Sequence, residues 1–495
     1  MCSWMFRRLM PRSLPPGPSS SRSSALALAI AMSLQLAACT LPIEPIESGI
    51  APPARFVAAT GQPLPAAAPD PAWWGEFRAP ELDRLMASAM DANLDVAASV
   101  ARLRQADEEL RIAGAQLLPL VTADASIART RGTSSTPGTP ATAGRRYGGT
   151  LAASYQVDFW GGLAAQRQSA RDSVSAAEFD IGTVTLATQS SVAVTLFELL
   201  GAQEQLAVQR ENLGAAERTL DILRGRLSVG TTTGLDIAQQ ETVVAQQRAQ
   251  IPVLRRTMEA NAFALATLVG RTPAEVTVTA QRLAAIRVPE IPPGLPSELL
   301  ARRPDVRQAE ANLAAASANV TAARAALYPS IGLTAEGGLQ SIALQTLLRP
   351  GATIYGIGAS IAQTIFDGGE LRAQLAQTQA RREELLANYR RAILAALQDA
   401  ETSLSALQND RELVTLQAAR VDAAQRAYAV ADAQLRAGTI DLLTLLNTQS
   451  NLFTARVALA QAQTSRLQSA AALFIALGGG WTVDGARQVR TRSAS

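Results

Sequence analysis

The nucleophiles of this chain make a short inventory. It has two thiols, Cys2 and Cys39, and no imidazole or lysine amine, because His is absent and all 45 basic residues are Arg. Without His the commonest general base and the commonest metal ligand are missing. Two cysteines cannot supply a disulfide framework or a Cys-ligated zinc site. No Walker-type phosphate loop and no G-x-S-x-G elbow is present, and "GIGAS" from Gly356 falls within a strand pattern instead of opening a helix. The sequence therefore predicts no enzyme, no metal and no cofactor. The one group whose setting suggests chemistry is the Cys39 thiol, which ends the run "ALALAIAMSLQLAAC" and whose thiolate can be alkylated.

The apolar stretch Ala25–Ala38 is too short to cross a bilayer as a helix, which takes about 20 residues. Arg7, Arg8, Arg12 and Arg22 precede it, giving the positive-then-apolar order of a secretory signal. Leu36-Ala37-Ala38-Cys39 resembles a bacterial lipobox, which implies cleavage before Cys39 and a covalent lipid (diacylglyceryl and N-acyl) on it. Thr40 follows, where lipoproteins retained at the inner membrane often carry Asp, so the expected destination is the outer membrane.

Removing residues 1–38, with those four Arg and no acid, leaves 41 of the 45 basic groups against 42 acidic ones. The basic pI thus belongs largely to the signal and is no argument for nucleic-acid binding. Aromatics are 4% of the chain and apolar residues 48%, mostly Ala and Leu. Small residues suit helices packed closely on one another. No later run of 18 apolar residues occurs, so any membrane crossing has to be made by β-strands.

The chain repeats itself. "AQLLPLVTADASIA" from Ala115 returns as "AALYPSIGLTAEGG" from Ala325, "DFWGGLAAQRQSARDS" from Asp158 as "IFDGGELRAQLAQTQA" from Ile365, and "LSVGTTTGLDIAQQ" from Leu227 as "LRAGTIDLLTLLNT" from Leu435, at offsets of 210, 207 and 208. Each half predicts a moderate helix (Asp91–Leu117, Pro304–Leu327), two short strands, a very long helix, a Gly-Thr tip and a second helix. From Ala400 to Leu435, eleven positions spaced alternately by four and three carry eight apolar or Ala residues, a coiled-coil seam broken by Arg411, Gln425 and Asp432. Glycines at 182, 201, 214 and 225 are expected to let the first long helix bend.

The short segments alternate with period two: Leu151, Ala153, Tyr155, Val157 and Phe159 share one side, Thr150, Ala152, Ser154, Gln156 and Asp158 the other. Strands are expected at about 120–128, 148–159, 329–339 and 353–366, with Ile354 and Phe366 falling on the polar side. Lengths near 9–11 residues suit tilted membrane-spanning strands. Four strands cannot close a barrel, for which about eight is the practical minimum, and an open edge cannot sit in hydrocarbon. If these strands span a membrane, several chains must pool them into one barrel; a half-buried sheet in a soluble domain is the alternative that alternation leaves open.

"RRPDVRQAE", "AALYPSIGL", "IFDGG" and "AGTIDLLTLLNTQ" together resemble the TolC-like outer membrane factors, and within them the lipoprotein branch serving resistance-nodulation-division pumps. The resemblance implies an α+β membrane protein: a homotrimer with a twelve-stranded β-barrel, four strands per chain, continuous with a long periplasmic α-helical coiled-coil tunnel. It implies a lipid-anchored outer-membrane exit duct for small molecules, extending into the periplasm, with a periplasmic adaptor and an inner-membrane pump as partners and no nucleic acid. A duct for type I protein secretion and a non-pore coiled-coil lipoprotein are the alternatives. The expected layout is a signal (1–38), a Pro-rich anchored segment (39–72), repeat one (73–285), repeat two (286–480) and a tail (481–495). The resemblance places adaptor contacts at the hairpin tips, Gly230, Thr231, Gly438 and Thr439, and the periplasmic aperture at "LTLLN", Leu443, Thr444 and Asn447, with Asp441 beside it. Asn447 stands where many members carry aspartate, so if the constriction is held shut, apolar contact through Leu443 and hydrogen bonds are expected to dominate over ion pairs. Asp236 reads equally as a first-turn helix residue.

Overall fold

The computed structural model describes residues 41–43, 47–58, 70–131, 143–278, 282–291 and 294–481. Cys39, the signal and the tail beyond Trp481 lie outside these residues. In chain order the elements are α1 (Pro80–Ala92), α2 (Leu94–Ala115), β1 (Leu120–Arg131), β2 (Ala143–Val157), α3 (Gly162–Ser228), α4 (Gly234–Leu268), α5 (Pro296–Arg302), α6 (Pro304–Ala325), β3 (Ser330–Ser341), β4 (Thr353–Ala362), α7 (Glu370–Arg436) and α8 (Leu442–Ala476). Three helices of each half match exactly in length: α2 and α6 have 22 residues, α3 and α7 have 67, and α4 and α8 have 35. At 1.5 Å per residue the 67-residue helices are roughly 100 Å long.

The chain divides into two compact units. One holds Gln116–Ala165 and Thr321–Gln374 and is built on a single antiparallel sheet of order β1-β2-β3-β4. Where strand passes into long helix, the repeated Asp-Gly motif does the work. Asp158 accepts the N–H groups of Leu163 (2.9 Å) and Ala164 (2.7 Å), and Asp367 those of Gly369 (2.8 Å) and Leu371 (2.9 Å). Each carboxylate thus satisfies N–H groups that the first turn of the helix leaves unpaired. Gly368 and Gly369 take φ of +66° and +93°, a turn that a side chain would strain. Phe366, expected in a strand, lies between the strand and this turn: β4 stops at Ala362, so the residue does not interrupt the strand's alternation.

The other unit carries the aromatic core. Trp73 stacks on Phe474 at 5.2 Å, and Phe77 packs on Phe197 at 5.3 Å, among Leu196, Leu200 and Leu473. Buried Gln189 accepts a hydrogen bond from Trp73 Nε1 and donates to the Gly480 carbonyl (2.9 Å), so its amide is matched at both ends. Residues 47–58 wrap onto α7. Arg390 Nε donates to the Ser48 carbonyl (2.7 Å), and the Glu401 carboxylate accepts the consecutive N–H groups of Val57 (2.6 Å) and Ala58 (2.8 Å). Phe56 enters the core at 1% exposure. The seam on α7 holds: Leu404 and Leu407 are buried, the later seam positions are half-buried, and Arg411 and Gln425 are exposed, with Gln425 accepting from Arg456 (2.6 Å). The most apolar stretch of α3 is long enough to cross a membrane, yet 56% of it is buried among neighbouring helices, as in a core helix.

Two expectations are corrected here. The first repeat's leading helix starts at Leu94, not Asp91, because Asn93 Oδ1 accepts the N–H groups of Asp95 and Val96 and ends α1 as it caps α2. The glycines of α3 are not bending points as a class. A Cβ on Gly201 would lie 2.4 Å from Thr464 Oγ1, and one on Gly182 2.9 Å from Trp481 and Pro304, so these two permit close approach of neighbouring chain, while Gly225 faces open space. Gly201→Ala should therefore lower stability by about 1–3 kcal/mol through overpacking. Gly225→Ala should raise it by about 0.5–1 kcal/mol. Thermal melts followed at 222 nm in detergent compare the two.

Candidate membrane wall and hairpin tips

The sheet's register decides which residues share a face. Ile127, Tyr147 and Ser341 lie in one row; Ala123, Leu151, Gly337 and Tyr355 in another; Val121, Ala153, Ala335 and Ile357 in the next; Val157, Ile331 and Ile361 in the last. All four strands therefore present one apolar face, and among the described residues nothing covers it: Tyr355 is 87% exposed, Ile357 88% and Ile361 74%. The opposite face carries Thr122, Asp124, Ser126, Ser154, Gln156, Thr334, Glu336 and Ser360. On that polar face a Cβ at Gly356 would come within 3.2 Å of Glu336 Oε1 and one at Gly358 within 3.0 Å of Thr334 Oγ1. Side chains crowd there, as on the concave side of a curled sheet. The strands are longer at their loop ends than expected, β1 reaching Arg131 and β2 starting at Ala143. Tyr147 and Tyr155 stand eight residues apart on the apolar face of β2, and Trp160 stacks on Tyr328 at 4.8 Å just beyond its helix end, donating Nε1 to the Pro329 carbonyl (2.7 Å). An apolar band between aromatics is the surface of a membrane-spanning strand. β1 and β4 are each paired on one side only, so the wall is incomplete.

In the other unit the two hairpin tips are near copies. Gly230 and Gly438 both take φ of +74° and end α3 and α7. The N–H of Gly230 donates to Leu227 O and that of Thr231 to Arg226 O; the N–H of Gly438 donates to Leu435 O and that of Thr439 to Gln434 O. Thr231 and Thr439 each add a hydroxyl bond of 3.1 Å to the same carbonyl their N–H uses. This is the left-handed C-terminal cap that glycine allows. The return helices are capped by the same pair of residue types in exchanged places. Thr233 caps α4 with Asp236 at its third position, in a reciprocal capping box. Asp441 caps α8 by accepting the Thr444 N–H (2.8 Å). Asp441 and Thr444 are thus joined to each other as a cap. Hydrogen bonds from Thr444 hold the Asp441 carboxyl below its ordinary range, and bonds from the Thr233 backbone, the Thr233 hydroxyl and the Thr232 hydroxyl do the same for Asp236.

Leu442, Leu445 and Leu446 are buried against Leu223 and Ala431. Leu443 points away from that cluster at 56% exposure, and Asn447 is exposed. Two features had no signal in the sequence. Arg226 Nη2 donates across the tips to the Leu435 carbonyl (3.0 Å). Gln240 and Gln449 are wholly buried between the hairpins, donating to Ala216 O (2.7 Å) and Thr219 Oγ1 (3.4 Å). Helical periodicity can mark such positions as inward but names no partner for them.

A sequence profile of the outer membrane efflux protein family matches residues 85–271 and 295–479, one match per repeat. The chain belongs to the outer membrane efflux protein family. It is 41% identical over 461 residues to the pyoverdine export outer membrane protein OpmQ of Pseudomonas aeruginosa, covering 91% of this chain and 96% of that one. With the toluene efflux pump outer membrane protein TtgC of Pseudomonas putida it shares 31% identity over 427 residues, 85% of this chain and 87% of the relative. The solved outer-membrane channel OprN superposes with a TM-score of 0.84 at 27% identity, covering 88% of this chain and 99% of that one. The bare apolar wall and the duplicated hairpins are accordingly those of an outer-membrane efflux channel.

The caps carry a pH dependence. Because the folded carboxyls of Asp236 and Asp441 titrate lower than free ones, their stabilisation is complete above the unfolded value of about 3.9 and is lost as pH falls through the lower folded value. Hydrogen-exchange protection of the first turns of α4 and α8 should therefore drop on acidification below about pH 4. In Asp236→Asn and Asp441→Asn those turns should keep a pH-independent protection factor.

Proposed function

We propose that the chain acts as a homotrimer, three four-stranded sheets sealing one twelve-stranded barrel, and serves as the passive exit duct of a tripartite pump. The observation that carries the trimer is the apolar face bounded by two singly paired strands. In hydrocarbon each unpaired backbone group costs several kcal/mol, so β1 of one copy pairs with β4 of the next. A duct of this kind needs no catalytic group, since the pump supplies the energy.

The tips at Gly230, Thr231, Gly438 and Thr439 meet the periplasmic adaptor, and Leu443 forms an apolar constriction with Thr444 and Asn447 beside it. The exposure of Leu443 outside the tip cluster supports this, because a free leucine on an end surface is available to pack against symmetry copies. Cys39 carries the lipid that anchors the start of the chain, and the bonds from Arg390 and Glu401 to residues 48–58 fit a tether led along the helices. The cargo is a small organic molecule: the named exports of two relatives are pyoverdine and toluene. The lipoprotein-branch resemblance favours a resistance-nodulation-division pump as the energy source.

Purified protein should run as a trimer and give discrete conductance steps in planar bilayers; a single-copy particle without conductance overturns the duct. Leu443→Ala should raise conductance or antibiotic influx in a pump-deficient host with no loss of thermal stability, since Leu443 is not part of the tip core. Unchanged influx would remove Leu443 from the constriction. Cys39→Ser should abolish acyl incorporation, read by mass spectrometry of the mature N-terminus. Deletion should sensitise cells to small compounds without altering the secreted proteins.

A further inference from the structure

The loop end of the β1–β2 ribbon has a charge pattern that passage of cargo does not require. From Ala125 to Val157 the chain has four Arg (Arg129, Arg131, Arg145 and Arg146) and no Asp or Glu; from 337 to 366 it has Arg349 and again no acid. Both loops therefore leave the sheet without a carboxylate to neutralise these cations. Arg129 lies directly opposite Arg145 in the ladder. Like charges facing each other across strands are destabilising, so a pair kept without a local acid calls for an anion from outside the chain.

The register fixes where that anion lies. Arg129 is two residues beyond Ile127 and Arg145 two before Tyr147, and Ile127 and Tyr147 are themselves paired on the apolar face. Arg131 shares this parity, so three of the four guanidinium groups belong to the apolar face and only Arg146, paired with Ala128, to the polar one. Along β1, Val121 to Arg129 is eight residues, about 27 Å of strand. At a tilt near 40° that spans about 20 Å of height, close to the apolar band of an outer-membrane barrel. The cationic cluster stands where the hydrocarbon ends and the headgroups begin. Pairing of β1 with β4 of the next copy would use its backbone edge and leave these side chains on the outward face of β1 and β2.

We propose that Arg129, Arg131 and Arg145 form a binding site for the phosphate groups of an outer-leaflet glycolipid of the lipid A type. Guanidinium forks bind phosphate in bidentate fashion, and one phosphate bridging Arg129 and Arg145 turns their repulsion into a chelate. The site rests on the reading of the sheet as a membrane wall with its loops outside. An anionic cargo is the competing occupant, and it would use the polar face, hence Arg146.

The full-length protein is reconstituted in nanodiscs of neutral phospholipid doped with bis-phosphorylated lipid A or its dephosphorylated form, and retained lipid is measured by native mass spectrometry. Wild type should retain the phosphorylated form about tenfold or more in preference, a ratio falling towards one in Arg129→Gln/Arg131→Gln/Arg145→Gln and unchanged in Arg146→Gln. Conductance and trimer mobility of each variant report whether the wall has formed: their loss in wild type overturns the membrane-wall reading itself. Normal conductance with equal retention of the two lipids by wild type overturns the lipid site alone. Loss of lipid preference in Arg146→Gln but not in the triple variant would place the anion on the polar face and also overturn it.

Discussion

A sheet with one oily face and two open edges cannot stand alone in a membrane, and most of this chain answers that constraint. Each edge strand presents backbone N–H and C=O groups with no partner, and lipid offers none. Four strands per copy are too few to close, so the molecule's membrane function resides in an assembly and its sequence encodes one sector. Duplication builds the sector economically: the same helix–strand–strand–helix–helix unit appears twice, with helix lengths that match residue for residue.

The transitions between strand and rod are made by small local devices. Asp158 and Asp367 each spend both carboxylate oxygens on the N–H groups that a new helix leaves unpaired, and the glycines after Asp367 take backbone angles that other residues resist. At the far ends of the long helices, Gly230 and Gly438 reverse the chain in one conformation, with their threonines bonded to equivalent carbonyls. The exchange of Thr and Asp between Thr233–Asp236 and Asp441–Thr444 keeps a helix cap in each half while changing which residue leads. The two tips remain alike in backbone and differ in side-chain chemistry.

Packing explains a composition poor in aromatics. The main cluster of large rings lies around Trp73, Phe77, Phe197 and Phe474, while elsewhere the helices meet chiefly through Leu, Val, Ile and Ala, as around Leu223 and Leu445 and around Val100 and Leu103. The approach of Gly201 to Thr464 leaves no space for a methyl group. Buried amides such as Gln240 and Gln449 sit among these helices, and partly matched polar groups in a coiled coil specify register at some cost in stability.

The duplication, the four strands, the long helices and the Gly-Thr tips were legible in the amino-acid order, because period-two and 4-3 patterns and glycine stops are local signals that carry their own geometry. The need for partner copies followed from counting strands. Only the tertiary structure settled which residues share a face across all four strands, since register is set by pairing between segments up to about two hundred residues apart and a one-residue slip would exchange the faces. It also decided that Gly201 is a contact and not a hinge, that Asp441 is tied to Thr444, and that Phe56 and Glu401 bind the leading segment to α7. Each of those depends on what lies opposite, and a sequence read along its length does not contain that.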